Sequence, residues 1–382
     1  MNDVTTDIKQ QKPRLPAIEY IRGISMLGVI GIHVGAQYLQ NPALNIHVLA
    51  VFEIFTRFSV PIFFFISAFG LFYNLDPQAE FSYVNFLRRR SQAVLVPYLA
   101  WSVFYLALFA FVYGTPFPTP AALCHTLFFG LANYQLYFLV ILLWFYLLMP
   151  LWIFIMRRLN KKIMVLLFLL QVAINYWSSF SPELYAYTMS LPDGSLLKSL
   201  LLYRLNYWVG HYFFIFLLGG WLAWHFDNFA DFMRRRCRLI YVGYIISLAG
   251  LLLYYYSILQ RGLTPLDAVF TAHQLCPLGV IYTVAASVFF FTLFSHPPYP
   301  SAFNIIPAFL GRHSYFCYLA HPLFISFFAV QLAAYGRIMT AGTAALFYLA
   351  VLFCSLVAAC VCRFIGEKFP LFNTLTIGLR RK

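Results

Sequence analysis

The chain has 382 residues, of which 62% are hydrophobic, 20% are aromatic and only 10% are charged. A soluble domain carries about 25% charged residues, so this composition excludes an ordinary soluble fold and indicates a polytopic membrane protein. The formal charge of +14 would suggest a nucleic-acid partner on a soluble surface. Its distribution among the loops argues against nucleic acid, because it follows the topology rule of membrane proteins.

Ten apolar stretches follow one another, each long enough to cross a hydrocarbon core of about 30 Å as a helix. We predict spans at 17–39, 46–74, 92–113, 135–156, 163–180, 206–225, 239–259, 275–295, 305–334 and 339–362. The fold class is therefore an all-α membrane protein, a bundle of about ten transmembrane helices. We expect a tail at 1–16, a ten-helix domain at 17–364 and a second tail at 365–382. The first stretch holds internal charges and lacks a small-residue cleavage site, so we expect it to remain as span one.

The basic residues predict the orientation of these spans. Twenty of the 26 Lys and Arg residues fall in the N-terminal tail, the even-numbered loops, the C-terminus and, for Arg312, the first turns of span nine next to such a loop. Four fall on the opposite side, namely Lys198, Arg204, Arg261 and Arg337. The other two, Arg22 and Arg57, lie inside spans. The positive-inside rule therefore predicts that both termini are cytoplasmic.

The seven cysteines show no spacing typical of a metal site or a redox motif. None forms a C-x-x-C pair or a Cys/His cluster with zinc spacing. Most lie in apolar stretches, where cysteine behaves as a small hydrophobic residue. We expect neither a disulfide framework nor a bound metal.

Span one carries an arginine and a histidine on one helical face. Arg22 and His33 are 11 positions apart, which is close to three turns and roughly 16 Å along the axis. One interpretation is that Arg22 reaches lipid phosphates while His33 makes a hydrogen bond inside the bundle. The functional alternative makes His33 a general base, since imidazole titrates near neutrality. Arg22 would then contact an anionic cofactor, and it is also a candidate catalytic residue, because Arg22 or Arg57 could stabilise the developing oxyanion. We hypothesise that this face lines a solvated passage.

Span two contains a second charged pair. Glu53 and Arg57 are four positions apart, hence on one face, and an intramembrane ion pair is their simplest relation. We also list both as candidate catalytic residues, because Glu53 reaches about the depth of His33 and could orient its imidazole. Pro61 is expected to kink this helix. A purely structural ion pair remains the alternative.

Two further groups lie near the predicted cytoplasmic entrance. Arg88, Arg89 and Arg90 follow span two, and arginine binds phosphate through two parallel hydrogen bonds. We assign them to donor binding, together with Arg312 and His321 of span nine. The alternative for Arg88–Arg90 is a role in topology and in contact with lipid phosphates, and the alternative for His321 is a structural hydrogen bond. Other polar residues were expected to line a cavity near the outer leaflet: Asn133, Gln135, Gln171, Asn175, Asn206 and His211.

Five stretches occur in an order that resembles the membrane acyltransferase-3 family. They are EYIRGISMLGVIGIH, RFSVPIFFFISAFGLFYN, FLRRRSQAVLVPYLAWSVFY, YQLYFLVILLWFYLLMP and LGRHSYFCYLAHPLF. The resemblance covers nearly the whole chain. It implies a bacterial integral-membrane O-acyltransferase that modifies surface polysaccharides, peptidoglycan or other glycosides. It also implies an acyl-CoA donor, usually acetyl-CoA, on the cytoplasmic side.

The motifs of that family map onto individual positions. Its Arg–ten residues–His motif falls on Arg22 and His33, its basic stretch on Arg88–Arg90, and its Tyr-x-x-His-Pro motif on Tyr318–Pro322. Three positions depart from the usual pattern, namely Ala68 in place of Gly, Ala93 in place of a basic residue, and Gln135 in place of His. These departures concern the donor contacts more than the reaction class. We expect any hydrolase-like partner to be a separate protein.

The sequence thus predicts a multi-pass enzyme of the bacterial plasma membrane. It would move an acyl group from acyl-CoA to a hydroxyl of a glycan or glycoside, without a metal and with membrane lipid as its surroundings. The alternative is an exporter or flippase of a glycan or lipid-linked sugar that performs no chemistry. Broken helices and inverted repeats would favour the exporter, and the sequence shows no internal repeat. The oligomeric state is left open.

Overall fold

Helices are the only regular secondary structure in the part of the chain that the computed structural model describes, residues 12–39, 46–336 and 340–378. In chain order they are α1 (Pro16–Leu39), α2 (Ile46–Thr56), α3 (Ser59–Tyr73), α4 (Tyr83–Arg90), α5 (Val96–Tyr113), α6 (Pro120–Phe129), α7 (Tyr137–Leu147), α8 (Met149–Met156), α9 (Lys161–Phe180), α10 (Pro182–Ser190), α11 (Leu196–Leu202), α12 (Arg204–Tyr207), α13 (Phe213–Trp224), α14 (Phe226–Arg235), α15 (Cys237–Gln260), α16 (Pro265–Thr271), α17 (Pro277–Ser295), α18 (Ile305–Ala334), α19 (Ala341–Lys368) and α20 (Pro370–Ile377). Most of the predicted tail 1–16, the loop 40–45, Arg337 and the last four residues lie outside the described residues.

The helical bundle confirms the predicted fold class. Within the described ranges, eight helical segments are long and apolar enough to cross a membrane, or nine if the bent pair α7–α8 is one span. The predicted span 206–225 is instead a short helix, α13, of 12 residues. At about 1.5 Å per residue it covers roughly 18 Å, less than a hydrocarbon core. Its surroundings are protein, because most of its residues are buried.

Helix α13 packs against α3 through two adjacent glycines. A Cβ atom at Gly219 would lie 2.3 Å from the Phe65 carbonyl oxygen, and one at Gly220 would lie 2.6 Å from the Phe72 ring. Small residues allow helix backbones to approach this closely where apolar collapse gives little driving force. The short helix α13 is therefore held in the centre by contact with α3.

A second close contact joins α1 to α18. A Cβ atom at Gly23 would lie 2.8 Å from the Pro307 carbonyl oxygen, and one at Gly311 would lie 1.9 Å from the Glu19 carbonyl oxygen. The backbones thus touch near the beginning of both helices. Because His33 and His321 each follow their glycine by ten positions, parallel helices in this register also bring the two histidines to one depth.

The second predicted span is interrupted where its proline predicts it. Helix α2 ends at Thr56 and α3 begins at Ser59, so the interruption precedes Pro61 by one turn. The proline ring has no N–H and clashes with the carbonyl of the residue four positions earlier, here Arg57. The expected kink in span two is confirmed, and it lies beside the buried charged pair.

The C-terminal helix α20 packs against the start of α5. A π-helical turn, Ser91–Leu95, joins α4 to α5, and Gly378 has a φ of 68° with its Cα pressed onto the Ala93 backbone. Trp101 Nε1 of α5 donates a hydrogen bond of 3.1 Å to the Thr376 carbonyl. Residues 370–377 of the predicted tail 365–382 thus form a helix that supports the segment following Arg88–Arg90.

Several basic segments meet at one end of the bundle, which we call the basic end. Lys12 Nζ lies 5.0 Å from the centre of the Tyr73 ring. Arg157 Nε donates a hydrogen bond of 3.1 Å to the Pro77 carbonyl. The start of α1, the loop after α3 and the segment after α8 therefore lie together. That this end faces the cytoplasm stays a prediction.

Substituting Gly311 tests the contact between α1 and α18. Gly311→Ala places a methyl group on the Glu19 carbonyl, so we expect the helices to separate at a cost of about 1–3 kcal/mol. The melting temperature of the purified protein should fall, as measured by intrinsic fluorescence. Gly250→Ala in α15 is the matched control, because a Cβ atom there has nothing within 4 Å. An equal melting temperature for both variants would show that the contact is looser than described.

Candidate active site

His33 of α1 and His321 of α18 lie against each other inside the bundle. Their ring centres are 5.2 Å apart with an interplanar angle of 24°, and the ring of Tyr134 lies 4.6 Å from His33 on another side. His321 has no exposed surface, whereas His33 is only half-buried. Two imidazoles from distant parts of the sequence therefore share one site.

The hydrogen bond of His321 defines its tautomer. Nδ1 lies 3.1 Å from the Cys317 carbonyl oxygen, and a carbonyl can only accept, so Nδ1 carries the proton. In the neutral ring Nε2 is then an unprotonated acceptor, and it has no hydrogen-bond partner among the described residues. Buried polar atoms are rarely left unpaired unless a ligand, water or function accounts for them. The sequence interpretation assigned His321 to donor binding, and the structure places it beside His33.

A set of hydrogen bonds holds this part of α18 in place. The Leu319 carbonyl accepts a bond of 2.6 Å from Tyr105 Oη and one of 3.3 Å from Gln135 Nε2. In return, Tyr318 Oη donates to the Gln135 carbonyl. Tyr105 lies on α5, and Gln135 lies in the turn before α7. Pro322 removes one backbone N–H donor from this part of α18. Gln135, with its Oε1 unpartnered, thus belongs to the histidine site.

Glu53 and Arg57 form the ion pair that their spacing predicted. Arg57 Nη2 lies 2.6 Å from Glu53 Oε1 and donates a second bond of 3.2 Å to the Val269 carbonyl. Both residues are buried, at 3% and 8% exposure. Glu53 Oε2 and Arg57 Nε have no partner among the described residues. The carboxylate of Glu53 thus bonds Arg57, and no hydrogen bond joins it to His33 among the described residues.

Arg22 and Arg90 come together at the basic end. The Arg22 side chain is exposed, and Arg90, Tyr146 and Glu19 act electrostatically on it. The Arg90 guanidinium carbon lies 5.5 Å from the centre of the Tyr146 ring. Glu19 is bonded to Arg14 at 2.9 Å, and neither Arg22 nor Arg90 takes part in an ion pair within the described part of the chain. Two neighbouring guanidiniums that form no ion pair in the described ranges make a site suited to an anion.

The face of α1 between Arg22 and His33 is closed. Met26 and Val29, which lie on that face, are 0% and 2% exposed. The spacing placed both polar residues on one side of the helix, but packing against neighbouring helices fills the positions between them. The expected solvated passage therefore does not run along this face of α1.

Four partly exposed side chains lie on three helices of the bundle. Ser67 and Phe63 of α3, Tyr315 of α18 and Tyr137 of α7 are all half-buried. Ser67 Oγ and Tyr146 Oη share a hydrogen bond of 3.3 Å, and the Arg90 guanidinium lies over the same Tyr146 ring. The Tyr318 ring lies 6.1 Å from that of His321.

The remaining candidates are distributed more widely. Arg88 and Arg89 are exposed on α4, and Arg312 is exposed next to Gly311. Gln171 and His211 line a separate cavity of about 10 Å³ with Gln274 and Thr283, close to the space of one water molecule. Sequence analysis missed Tyr134 and Tyr146, because nothing in their local pattern distinguishes them from the other 25 tyrosines of the chain.

No group of three or more His, Cys, Asp or Glu side chains within the described ranges is arranged to hold a metal ion. All seven cysteines carry free thiols.

Comparison with known protein families gives one match that covers nearly the whole chain. The acyltransferase-3 family, whose model is described as an acyltransferase domain, matches residues 15–364. A comparison with curated proteins found no match, and neither did one with solved structures. The matched range includes α1 through most of α19, and hence both histidines and both charged pairs described above.

Removing one partner of the buried ion pair should destabilise the protein more than removing both. Glu53→Leu or Arg57→Met leaves a buried charge uncompensated, which costs about 3–5 kcal/mol, whereas the double variant leaves none. We expect thermal unfolding to show the double variant as more stable than either single variant.

An exposed ion pair provides the control for this cycle. Lys198 bonds Asp193 at 2.6 Å, but Asp193 is 97% exposed, and the bond lowers the pKa of that carboxyl. Asp193→Ala should leave the melting temperature unchanged, because solvent screens such pairs. Destabilisation of the double variant by the sum of the two single effects would contradict the described geometry.

Proposed function

Because the chain belongs to the acyltransferase-3 family, we propose that it is an O-acyltransferase of the bacterial plasma membrane that moves an acyl group from acyl-CoA to a sugar hydroxyl. The proposed acyl group is acetyl, because the family that the sequence motifs resemble usually uses acetyl-CoA as its donor. The observation that carries this proposal is the stacking of half-buried His33 on fully buried His321, whose Nε2 has no partner among the described residues. Imidazole is the side chain best suited to remove a proton from a hydroxyl near neutral pH.

The opening at Arg22 and Arg90 is the proposed docking site for the phosphates of the coenzyme. Arg88 and Arg89 are exposed on the preceding turns of α4 and extend this positive surface. Arginine forks bind phosphate oxygens in pairs, and neither Arg22 nor Arg90 forms an ion pair in the described ranges. Arg22 lies roughly 16 Å from His33 along α1, so it acts on the donor's nucleotide rather than on the reacting atoms.

The acyl-pantetheine arm is proposed to pass between helices whose facing side chains are partly exposed, namely Ser67 and Phe63 of α3, Tyr315 of α18 and Tyr137 of α7. This route replaces the closed face of α1. Hydroxyl groups along it can bond the amides of the arm, while the aromatic rings pack on its carbons. The thioester would then arrive beside His33 from the basic end.

The chemistry follows from the histidine site. His33 takes the proton of the acceptor hydroxyl as its oxygen attacks the thioester carbonyl. The tetrahedral intermediate collapses by breaking the C–S bond, and the proton passes from His33 to the leaving thiolate to give free coenzyme A. His321 Nε2 is an unprotonated acceptor with no partner among the described residues, and its free lone pair suits a positioning role towards His33 or the acceptor hydroxyl. Arg57, held by Glu53, supplies positive charge near the developing oxyanion.

Label transfer to glycan is the experiment that tests the proposed reaction. Membranes containing the protein are incubated with radiolabelled acetyl-CoA, and label is counted on extracted glycan. His33→Ala should reduce incorporation by at least about a hundredfold, the range that general base catalysis contributes. His296→Ala, an exposed histidine in the turn after α17, is the control and should retain activity.

The same assay distinguishes the enzyme from an exporter. An exporter would move glycan across the membrane without labelling it, in native protein and variants alike. Full incorporation by a membrane-inserted His33→Ala variant would end the assignment of His33 as the base. Glu53→Gln tests the supporting pair, and unchanged turnover in that variant would remove Glu53 from the mechanism.

Donor recognition can be tested separately from chemistry. Arg22→Gln and Arg90→Gln should each raise the KM for acetyl-CoA by about tenfold to a hundredfold, because a hydrogen bond to a charged group contributes about 1.5–3 kcal/mol. Acetyl-pantetheine lacks the nucleotide phosphates, so native protein and both variants should use it equally well. A matching loss with acetyl-pantetheine would place these arginines elsewhere in the reaction.

A further inference from the structure

Helix α8 leaves the line of α7 at the basic end of the bundle. The two helices meet at an angle of 61° around Leu148. Pro150 stands in the first turn of α8, and its missing N–H interrupts the backbone hydrogen bonds of the span. Tyr83 Oη donates a bond of 2.7 Å to the Leu147 carbonyl, so α4 holds one side of the bend.

The bend leaves a groove along α8, which we call the α8 groove. It is an open surface depression of about 520 Å³ lined by Pro150, Ile153, Phe154, Arg157 and Arg158. Its composition changes along its length, from apolar residues near the bend to two arginines at the end of the helix. A groove of this kind fits a molecule with an apolar portion and an anionic portion.

The two arginines are oriented by backbone carbonyls. Arg158 Nη1 donates a bond of 3.1 Å to the Phe154 carbonyl, and its guanidinium carbon lies 3.6 Å from the centre of the Phe154 ring. Arg157 donates to the carbonyls of Pro77 and Ala79 at 3.1 and 3.4 Å. These bonds occupy part of the five N–H donors of each guanidinium. Both side chains are exposed, and neither forms an ion pair within the described ranges.

Charged residues flank the groove in the sequence. The loop before α4 contains Asp76 and Glu80, and the beginning of α9 contains Lys161 and Lys162. The formal charges of these four residues sum to zero, so the net formal charge of the group together with Arg157 and Arg158 is that of the two arginines.

We propose that the α8 groove binds an anionic glycerophospholipid of the surrounding bilayer. The lipid phosphate bonds the guanidiniums of Arg157 and Arg158, and an acyl chain lies along Ile153 and Phe154. A soluble anion would leave the apolar part of the groove uncovered, and Phe154 is 53% exposed. Basic pockets beside membrane helices bind anionic headgroups by this combination of charge and apolar contact.

Binding can be measured on the full chain after delipidation, by native mass spectrometry with added phosphatidylglycerol or phosphatidylcholine. The native protein should bind phosphatidylglycerol more tightly. Arg157→Gln combined with Arg158→Gln should weaken that binding by about tenfold to thirtyfold. Each basic residue near an anionic surface raises the affinity by roughly fivefold, and this variant removes two of them.

The control is Arg234→Gln combined with Arg235→Gln. Arg234 and Arg235 also belong to a basic segment of the sequence, but both form ion pairs with Asp231, at 2.7 and 2.8 Å. It should change phosphatidylglycerol binding by less than about twofold. Equal losses in the two double variants would reduce the effect to general surface charge and overturn the proposal. Equal affinity of the native protein for the two lipids would also overturn it.

Photolabelling of the native chain gives a test that needs no variant. A photoactivatable phosphatidylglycerol should label peptides from 149–158, and excess unlabelled phosphatidylglycerol should abolish the label. Competition by glycerol phosphate as effective as that by the lipid would identify a soluble anion as the ligand. Label confined to other helices would place the lipid elsewhere.

Discussion

The backbone contact between α1 and α18 is the constraint on which the proposed site depends. Gly23 and Gly311 have no side chain, so the two helices touch near their beginnings. Each glycine is followed ten positions later by a histidine, and parallel helices in register carry both imidazoles to the same depth, roughly 15 Å further along. The stacking of His33 on His321 at 5.2 Å is therefore a consequence of how closely the backbones approach.

The charged groups divide into two kinds according to whether they are neutralised. Glu53 and Arg57 lie deep in the bundle, and their charges offset one another, as a low-dielectric interior requires. Arg22 and Arg90 lie at the basic end without a carboxylate partner, where solvent reduces the cost of an unpaired charge. This division fits a site in which an anionic group is held at the opening and proton transfer takes place further inside.

Relations within one helix could be predicted from the sequence, and relations between helices mostly could not. The four-residue spacing gave the Glu53–Arg57 pair, and Pro61 gave the break before α3. His33 and His321 are 288 positions apart, and only the equal distance from a preceding glycine hints at their meeting. The face between Arg22 and His33 was expected to be open, but Met26 and Val29 pack there. The span expected at 206–225 became the short helix α13, because burial against α3 replaces the length that a lipid-facing helix needs.

The most direct measurement of the histidine pairing is chemical cross-linking between the two positions. Cysteines are introduced as His33→Cys and His321→Cys into a chain whose native cysteines are replaced, and a protease site is inserted in the exposed turn 261–263. A bifunctional thiol reagent of about 5 Å should keep the two fragments joined after cleavage, while the pair His33→Cys and His296→Cys should separate. Separation of the first pair as complete as that of the second would contradict the shared site and the mechanism built on it.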